Sequence, residues 1–260
     1  MINQGERDEN LVKLRLIEMR DTGGFVKING KVTQVQSVGF NGVEYGSLPK
    51  GTDISYIERE ANKGNMLPLE KICAICGISK AGARDKADVF INGLGYSVKS
   101  HQAAPPAIVN HTPRNGWLRI ANEKALDISI LDKIIKDYWA KRKQGIIKED
   151  TCIGDRHCPF NGYKEELRGF LEYYLFEGSG SARSKVPAYG VLEFTRPLDE
   201  STWEFSKGEY LDKVWNRLVF SIRNKGMNDN YPHCKANNEI APWVEHFQGS
   251  YKGSLHVRVR

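Results

Sequence analysis

"KADVFINGLGYSVKSHQAAPPAIVNHTPRNGW", Lys86 to Trp117, decides how the rest of the chain is read. Its first half has the pattern of a tight β-hairpin. Its two strands are paired around "NGLG", Asn92 to Gly95. With Asn92 to Gly95 taken as a four-residue loop, Ile91 faces Tyr96, Phe90 faces Ser97 and Asp88 faces Lys99. Strand side chains alternate with period two, so Asp88, Phe90, Ser97 and Lys99 share one face. Val89, Ile91, Tyr96 and Val98 share the other, which the pattern assigns to the core. An acid and an amine are therefore expected side by side, close enough to touch. A one-residue slip of the pairing would separate them.

The flanks of the hairpin suit a phosphate chain. "GISKAGARDKAD" before it is rich in small and basic residues, and the segment after it supplies His101, Asn110, His111 and Arg114. Side chains of these types and exposed backbone N–H groups are the usual phosphate contacts. Further out, Asn10 to Arg20 reads as an amphipathic helix, with Leu11, Leu14, Leu16, Ile17 and Met19 as its apolar positions. Phe25 to Gly46 reads as a small β-meander turning at Asn29-Gly30 and Asn41-Gly42. Asp53 to Gly77 is helical, capped by Asp53 and interrupted near Gly64 and Pro68. Asp127 to Gln144 carries the clearest helical stripe, from Ile128 through Leu131, Ile134, Ile135 and Tyr138 to Trp139. Tyr163 to Phe176 is another helix, with a short one around Tyr210 to Trp215. "AYGVLEF", "RLVFSIR" and the terminal "GSLHVRVR" read as strands.

Helices and strands without strict alternation define an α/β or α+β fold: a mixed central sheet flanked by helices, with a β-rich C-terminal part. "EGSGSARSKVPA", Glu177 to Ala188, is the expected loop or subdomain boundary. Residues 1–176 then carry the hairpin and 177–260 the β-rich part, within one continuous domain. The 260 residues, 40% hydrophobic and 10% aromatic, can bury a sizeable core, which sets the chain apart from disordered proteins. A net charge of +6 suits a polyanionic partner. The apolar runs are too short for a membrane span. The first twenty residues are charged throughout, without the apolar stretch of a signal peptide. Five cysteines scattered along the chain point to buried thiols in the reducing cytoplasm.

"KADVFINGLGYSVKS", Lys86 to Ser100, resembles the catalytic hairpin of the PD-(D/E)xK nucleases, the group that holds most type II restriction endonucleases. The resemblance implies Mg²⁺-dependent hydrolysis of double-stranded DNA at a short sequence. It makes Asp88 a metal ligand, the Val98 carbonyl a further ligand, and Lys99 the amine that orients or activates the attacking water. Symmetric cutting of a palindrome implies a homodimer. Where the family has its second carboxylate, this chain has Ser97, and a hydroxyl cannot supply the negative charge a hard cation wants. Some restriction enzymes of the family also carry Ser there and take the carboxylate from a neighbouring helix. Glu58, Glu60, Glu70 and Glu123 are the candidates for that role, with Glu60 first and Glu123 second.

Base readout is expected in the second half, from Arg183, Lys185, Arg223, Lys225 and Arg258, since Arg, Lys and Asn read base edges in the major groove. Two other classes stay open. One is a DNA-binding protein without cleavage activity, in which Ser97 marks a lost site. The other is a zinc-stabilised interaction module using Cys73, Cys76, Cys152, His157 and Cys158.

Overall fold

Asn92 and Gly93 both adopt left-handed backbone, with φ of 50° and 79°, as a two-residue type I′ turn requires. The hairpin they close pairs Ile91 with Leu94, Phe90 with Gly95 and Val89 with Tyr96. The expected four-residue loop is thus two residues too long, and Asp88 comes opposite Ser97 instead of Lys99. Because both the shift and the side-chain period are two, every residue keeps its expected face. Gly95 belongs to the strand because other backbone passes close to it. A Cβ there would lie 2.8 Å from the Ala87 Cβ and 3.1 Å from the Pro187 carbonyl oxygen.

These features come from a computed structural model that describes residues 3–82, 84–104, 106–226 and 237–260. The chain forms two units, each assembled from two segments: Met1–Ala104 with Ser184–Tyr210, and Pro105–Arg183 with Leu211–Arg260.

The first unit opens with helix α1 (Gln4–Thr22), capped by the Asn3 side chain on the Glu6 N–H and stopped at Gly23, whose φ is 73°. It starts six residues before the expected Asn10, because the cap lies ahead of the apolar stripe. Strands β1 (Phe25–Ile28) and β2 (Lys31–Gln34) form a two-stranded sheet of their own. Strands β3 (Val38–Phe40) and β4 (Val43–Glu44) join a larger sheet, so the single meander expected there is split. The Asn92 side chain is positioned at the split. It accepts from the N–H groups of Gln36 and Ser37 and donates to the Gln34 carbonyl. Helix α2 (Ile54–Asn62) is capped by Asp53, and α3 (Leu67–Ile75) carries Pro68 in its first turn. Gly64, with φ of 90°, makes the expected interruption between them.

The larger sheet has six strands in the order β10-β9-β6-β5-β3-β4, with β5 (Val89–Ile91), β6 (Leu94–Ser100), β9 (Gly190–Phe194) and β10 (Glu204–Ser206). β6 and β9 run parallel and the other pairs antiparallel, which makes it a mixed sheet. Val89, Ile91, Tyr96, Val98, Leu192 and Phe194 bury one face against Leu11, Val12, Leu14 and Ile17 of α1 and the apolar sides of α2 and α3. Burying side chains of this size is worth about 1.5–3 kcal/mol each.

In the second unit, β7 (Ala107–Pro113), β14 (Ser254–Val259), β11 (Leu218–Arg223) and β8 (Thr151–Cys152) form a four-stranded antiparallel sheet. Its helices are α4 (Arg114–Lys124), α5 (Ile128–Lys143) and α6 (Lys164–Glu172), and β12 (Glu245–Phe247) pairs with β13 (Ser250–Lys252). Asp127 caps α5, and Leu131, Ile134, Ile135, Tyr138 and Trp139 are buried, as the stripe predicts. The fold is α+β with a mixed central sheet. Among the described residues, no helix is long and apolar enough to cross a membrane.

Candidate active site

Strand β5 stops at Val89, and Asp88 closes the gap beyond it. The Asp88 N–H donates to the Tyr96 carbonyl at 2.8 Å. Its carboxylate then turns back, and Oδ2 accepts from the Val98 N–H at 2.7 Å and from the Ser97 hydroxyl at 3.2 Å. The carboxylate thus occupies the ladder position that a longer β5 would fill. In a strand, the N–H and C=O of one residue point to the same side. The Val98 carbonyl therefore faces this same gap, away from β9. Ser97 pairs with Val191 of β9 and Lys99 with Glu193. Lys99 is diagonal to Asp88, on the face expected of it, and the two form no ion pair.

A carboxylate of α1 feels the charges of this hairpin. Burial, followed by the charge of Asp88, pushes the Glu9 carboxyl above the usual range, while Lys13 and Lys99 pull it down. Glu9 thus lies within electrostatic reach of both Asp88 and Lys99. The Lys13 ammonium donates to Glu9 Oε1 at 2.6 Å. Tyr45 follows β4 and is 5% exposed, and its hydroxyl has no hydrogen-bond partner. Burial, then the charges of Glu9 and Asp88, push its phenol well above the ordinary value. Lys86 joins the group from the start of the hairpin. Burial, then Lys99, lowers its ammonium to about 8 against the pull of Asp88.

Two of the expected carboxylates, Glu60 and Glu123, have other hydrogen-bond partners. Glu60 accepts from Lys63 and Asn65 at the end of α2. Glu123 lies in the second unit and accepts from Arg119 and Tyr173. Burial raises Glu58, with Arg7 opposing it, and Glu70 is exposed. Glu9, on which the charges of Asp88 and Lys99 act, was not among the expected candidates. The stretch "GERDEN" hides it, because a run of charges ahead of the apolar stripe reads as a solvated helix end. Glu193 also escaped the sequence. It is 4% exposed, next to Lys99 in register, and 3.8 Å from His101 Nε2. An acid inside the apolar strand "GVLEF" is the signal that marks it.

Among the described residues, no three His, Cys, Asp or Glu side chains converge to hold a metal by themselves. The Asp88 carboxylate and the Val98 carbonyl facing the same gap are nevertheless oxygen donors of the kind Mg²⁺ takes. That ion keeps several waters and is held by one or two carboxylates plus substrate phosphate. Among the described residues, the cysteines of the expected zinc alternative join no group of three metal-ligating side chains. Cys73, Cys76, Cys152 and Cys158 are free, and burial, with Cys76 adding to it, pushes the Cys73 thiol up to about 12.

Ser97 contributes one hydrogen bond to a carboxylate that also has the Val98 N–H. A neutral hydrogen bond is worth about 0.5–1.5 kcal/mol. Ser97→Ala should therefore lower the stability of the fold by about that much, measured by chemical denaturation. A loss beyond about 3 kcal/mol would give the hydroxyl a role larger than this one bond.

The basic residues assigned to DNA fall into two groups. Arg114 is held by both oxygens of Asp132 and by the Glu239 carbonyl. Arg223 pairs with Glu149 and Asp150, Arg258 with Asp150, and Arg183 with Glu177 and Glu123. These guanidinium groups meet carboxylates before they meet a nucleic acid. His101, Lys185 and Lys225 are exposed. Asn110 and His111 line a pocket of about 570 Å³ with Asn115, Ser179 and Ser181.

His111 sits at a β-bulge. β7 and β14 shift register between Leu255 and Val257, and His111 takes a φ of 35°. Its ring stacks on His256, with centroids 4.4 Å apart. Burial first, then His111, Arg223 and Arg258, lower His256 to about 4 against the opposing pull of Asp150. The unfolded imidazole titrates near 6.5, so between these values the unfolded chain binds a proton that the folded chain refuses. Stability should therefore fall as pH drops from about 6.5 towards about 4. In thermal unfolding, His256→Phe should flatten that slope; an unchanged slope would place its origin elsewhere.

No protein-family model matches this chain, and neither the curated proteins nor the solved structures contain a match to it.

Proposed function

We propose that this protein is a Mg²⁺-dependent endonuclease that hydrolyses double-stranded DNA at a short specific sequence, as type II restriction enzymes do. One observation carries this. The Asp88 carboxylate is pinned between the Ser97 hydroxyl and the Val98 N–H at the open end of β5, and the charges of Asp88 and Lys99 both act on Glu9 of α1. When bound, the metal supplies Lewis-acid stabilisation of the phosphate and acidifies its own water.

The side chains divide the remaining work. Asp88 is pinned by the Val98 N–H, so one of its oxygens is fixed and the other is available as a ligand. Glu9 offers a second carboxylate, with one oxygen engaged by Lys13. The Lys99 ammonium, on the face shared with Ser97, stabilises charge developing on the phosphoryl oxygens or holds the attacking water. Lys86 adds a second cation beside it. Exposed Lys185 and Lys225 suit phosphate contacts along the duplex. A palindromic target would be cut on both strands by a second copy of the chain. The free cysteines are in keeping with a cytoplasmic location.

The test is incubation of the protein with phage DNA and Mg²⁺. Discrete fragments, absent with EDTA and absent with Asp88→Asn, are the expected result. Duplex binding without cutting would leave a non-cleaving DNA-binding protein, and neither binding nor cutting would end the nucleic-acid assignment.

A further inference from the structure

Strands β1 and β2 stand apart from both larger sheets as a two-stranded ribbon. Asn29 and Gly30, with φ of 48° and 80°, close it in a type I′ turn. The register pairs Phe25 with Gln34 and Lys27 with Val32, so these four side chains share one face. Val26, on the other face, is 3% exposed and belongs to the core of the first unit. The outward face is open: Phe25 is 55% exposed and Val32 74%, and Lys27 and Gln34 are exposed as well. Two apolar side chains lie on one diagonal of this patch and two hydrogen-bonding ones on the other. Lys31 adds an exposed cation beside the turn. From Phe25 to Gln34 there is no carboxylate. Among the described residues neither lysine has an ion-pair partner. The arginines of the second unit, in contrast, are already matched by acids.

We propose that this ribbon reads the target sequence, entering the major groove of the duplex with its outward face. The inference rests on the reading of the protein as a sequence-specific DNA enzyme. The major groove admits a two-stranded ribbon and displays donors, acceptors and thymine methyl groups. Gln34 suits an adenine edge, Lys27 a guanine edge, and Phe25 and Val32 the methyl of thymine. Lys31 takes a phosphate. A second copy of the chain is a poorer occupant, because face to face it would set lysine against lysine with no acid to offset them. The ribbon is also fastened to the candidate hairpin. The Gln34 carbonyl accepts from Asn92 Nδ2 at 2.8 Å, and Asp88 lies four residues before Asn92. That is about 13 Å of extended chain, close to the groove width of about 12 Å.

The proposal is tested by selection from a pool of short duplexes with randomised centres, in EDTA so that nothing is cut. Sequencing the bound fraction gives the preference at each position. Gln34→Ala and Lys27→Ala should each relax the preference at one position by about 5- to 150-fold while the other positions hold. Lys31→Ala should weaken every duplex alike and lower the slope of log affinity against log salt by about one. These side chains are exposed, so the variants keep the fold, which thermal unfolding verifies. At a purine whose preference is relaxed, 7-deazapurine removes an acceptor that only the major groove displays. It should weaken wild type at least about fivefold and leave the variant unaffected. Equal weakening of both overturns the major-groove assignment. Uniform weakening by Gln34→Ala and Lys27→Ala would make the ribbon a phosphate contact and overturn its reading role. A site that wild type and variants select with equal strength overturns the proposal and leaves the nuclease reading standing. So does a dimer that Val32→Ser dissociates with the selected site unchanged, since the face would then join two copies. A wild type that selects no sequence fails the underlying reading, and the ribbon proposal with it.

Discussion

Asp88→Asn is expected to fold as the wild type does and to cut DNA at least about a thousandfold more slowly in Mg²⁺. The fold should survive because the asparagine side-chain oxygen can still accept the Val98 N–H that Asp88 accepts at 2.7 Å. The gap beyond β5 stays filled and the ladder position stays satisfied. What disappears is a full negative charge. A divalent ion would be held poorly without that charge, and the transition-state stabilisation it would supply is several kcal/mol. A thousandfold loss corresponds to about 4 kcal/mol. Two measurements check this: the single-turnover cleavage rate, and Mg²⁺ affinity by calorimetry. An Asp88→Asn protein cutting within tenfold of the wild-type rate would remove the hairpin from the chemistry.

Lys99→Ala is the second large effect. Its ammonium lies in register with Glu193 on β9, on the face it shares with Ser97, and acts electrostatically on Glu9 and Lys86. Removing it leaves the ligands of the metal in place, so Mg²⁺ affinity should stay within about threefold. Cleavage should fall by about a hundredfold or more, the usual size of a general acid–base or electrostatic role. Weakened metal binding with an unaltered rate at saturating Mg²⁺ would assign Lys99 to the metal site instead of the reacting phosphate.

Legibility followed the range of the interactions. The Asn92-Gly93 turn, the Asp53 and Asp127 caps and the stripe of α5 depend on neighbours a few residues away, and the chain carries them openly. The loop at the hairpin tip was read two residues too long because Gly95 looks like turn chemistry. Its actual cause is the close passage of Pro187, about ninety residues later in the sequence.

The amino-acid sequence by itself determined the mixed α and β class and the period-two pattern that puts Asp88, Ser97 and Lys99 on one side. That pattern tolerates any even error in register, which is why it survived the misjudged loop. Only the tertiary structure decided which distant charges act on one another. A Glu–Lys pair four residues apart is identical in sequence whether it lies in water or in a core. Packing of α1 buried Lys13 and exposed Glu9 to the charges of Asp88 and Lys99. Tertiary packing likewise occupied Arg114, Arg223 and Arg258 with Asp132, Glu149 and Asp150, since a guanidinium's partner is set by what folds against it.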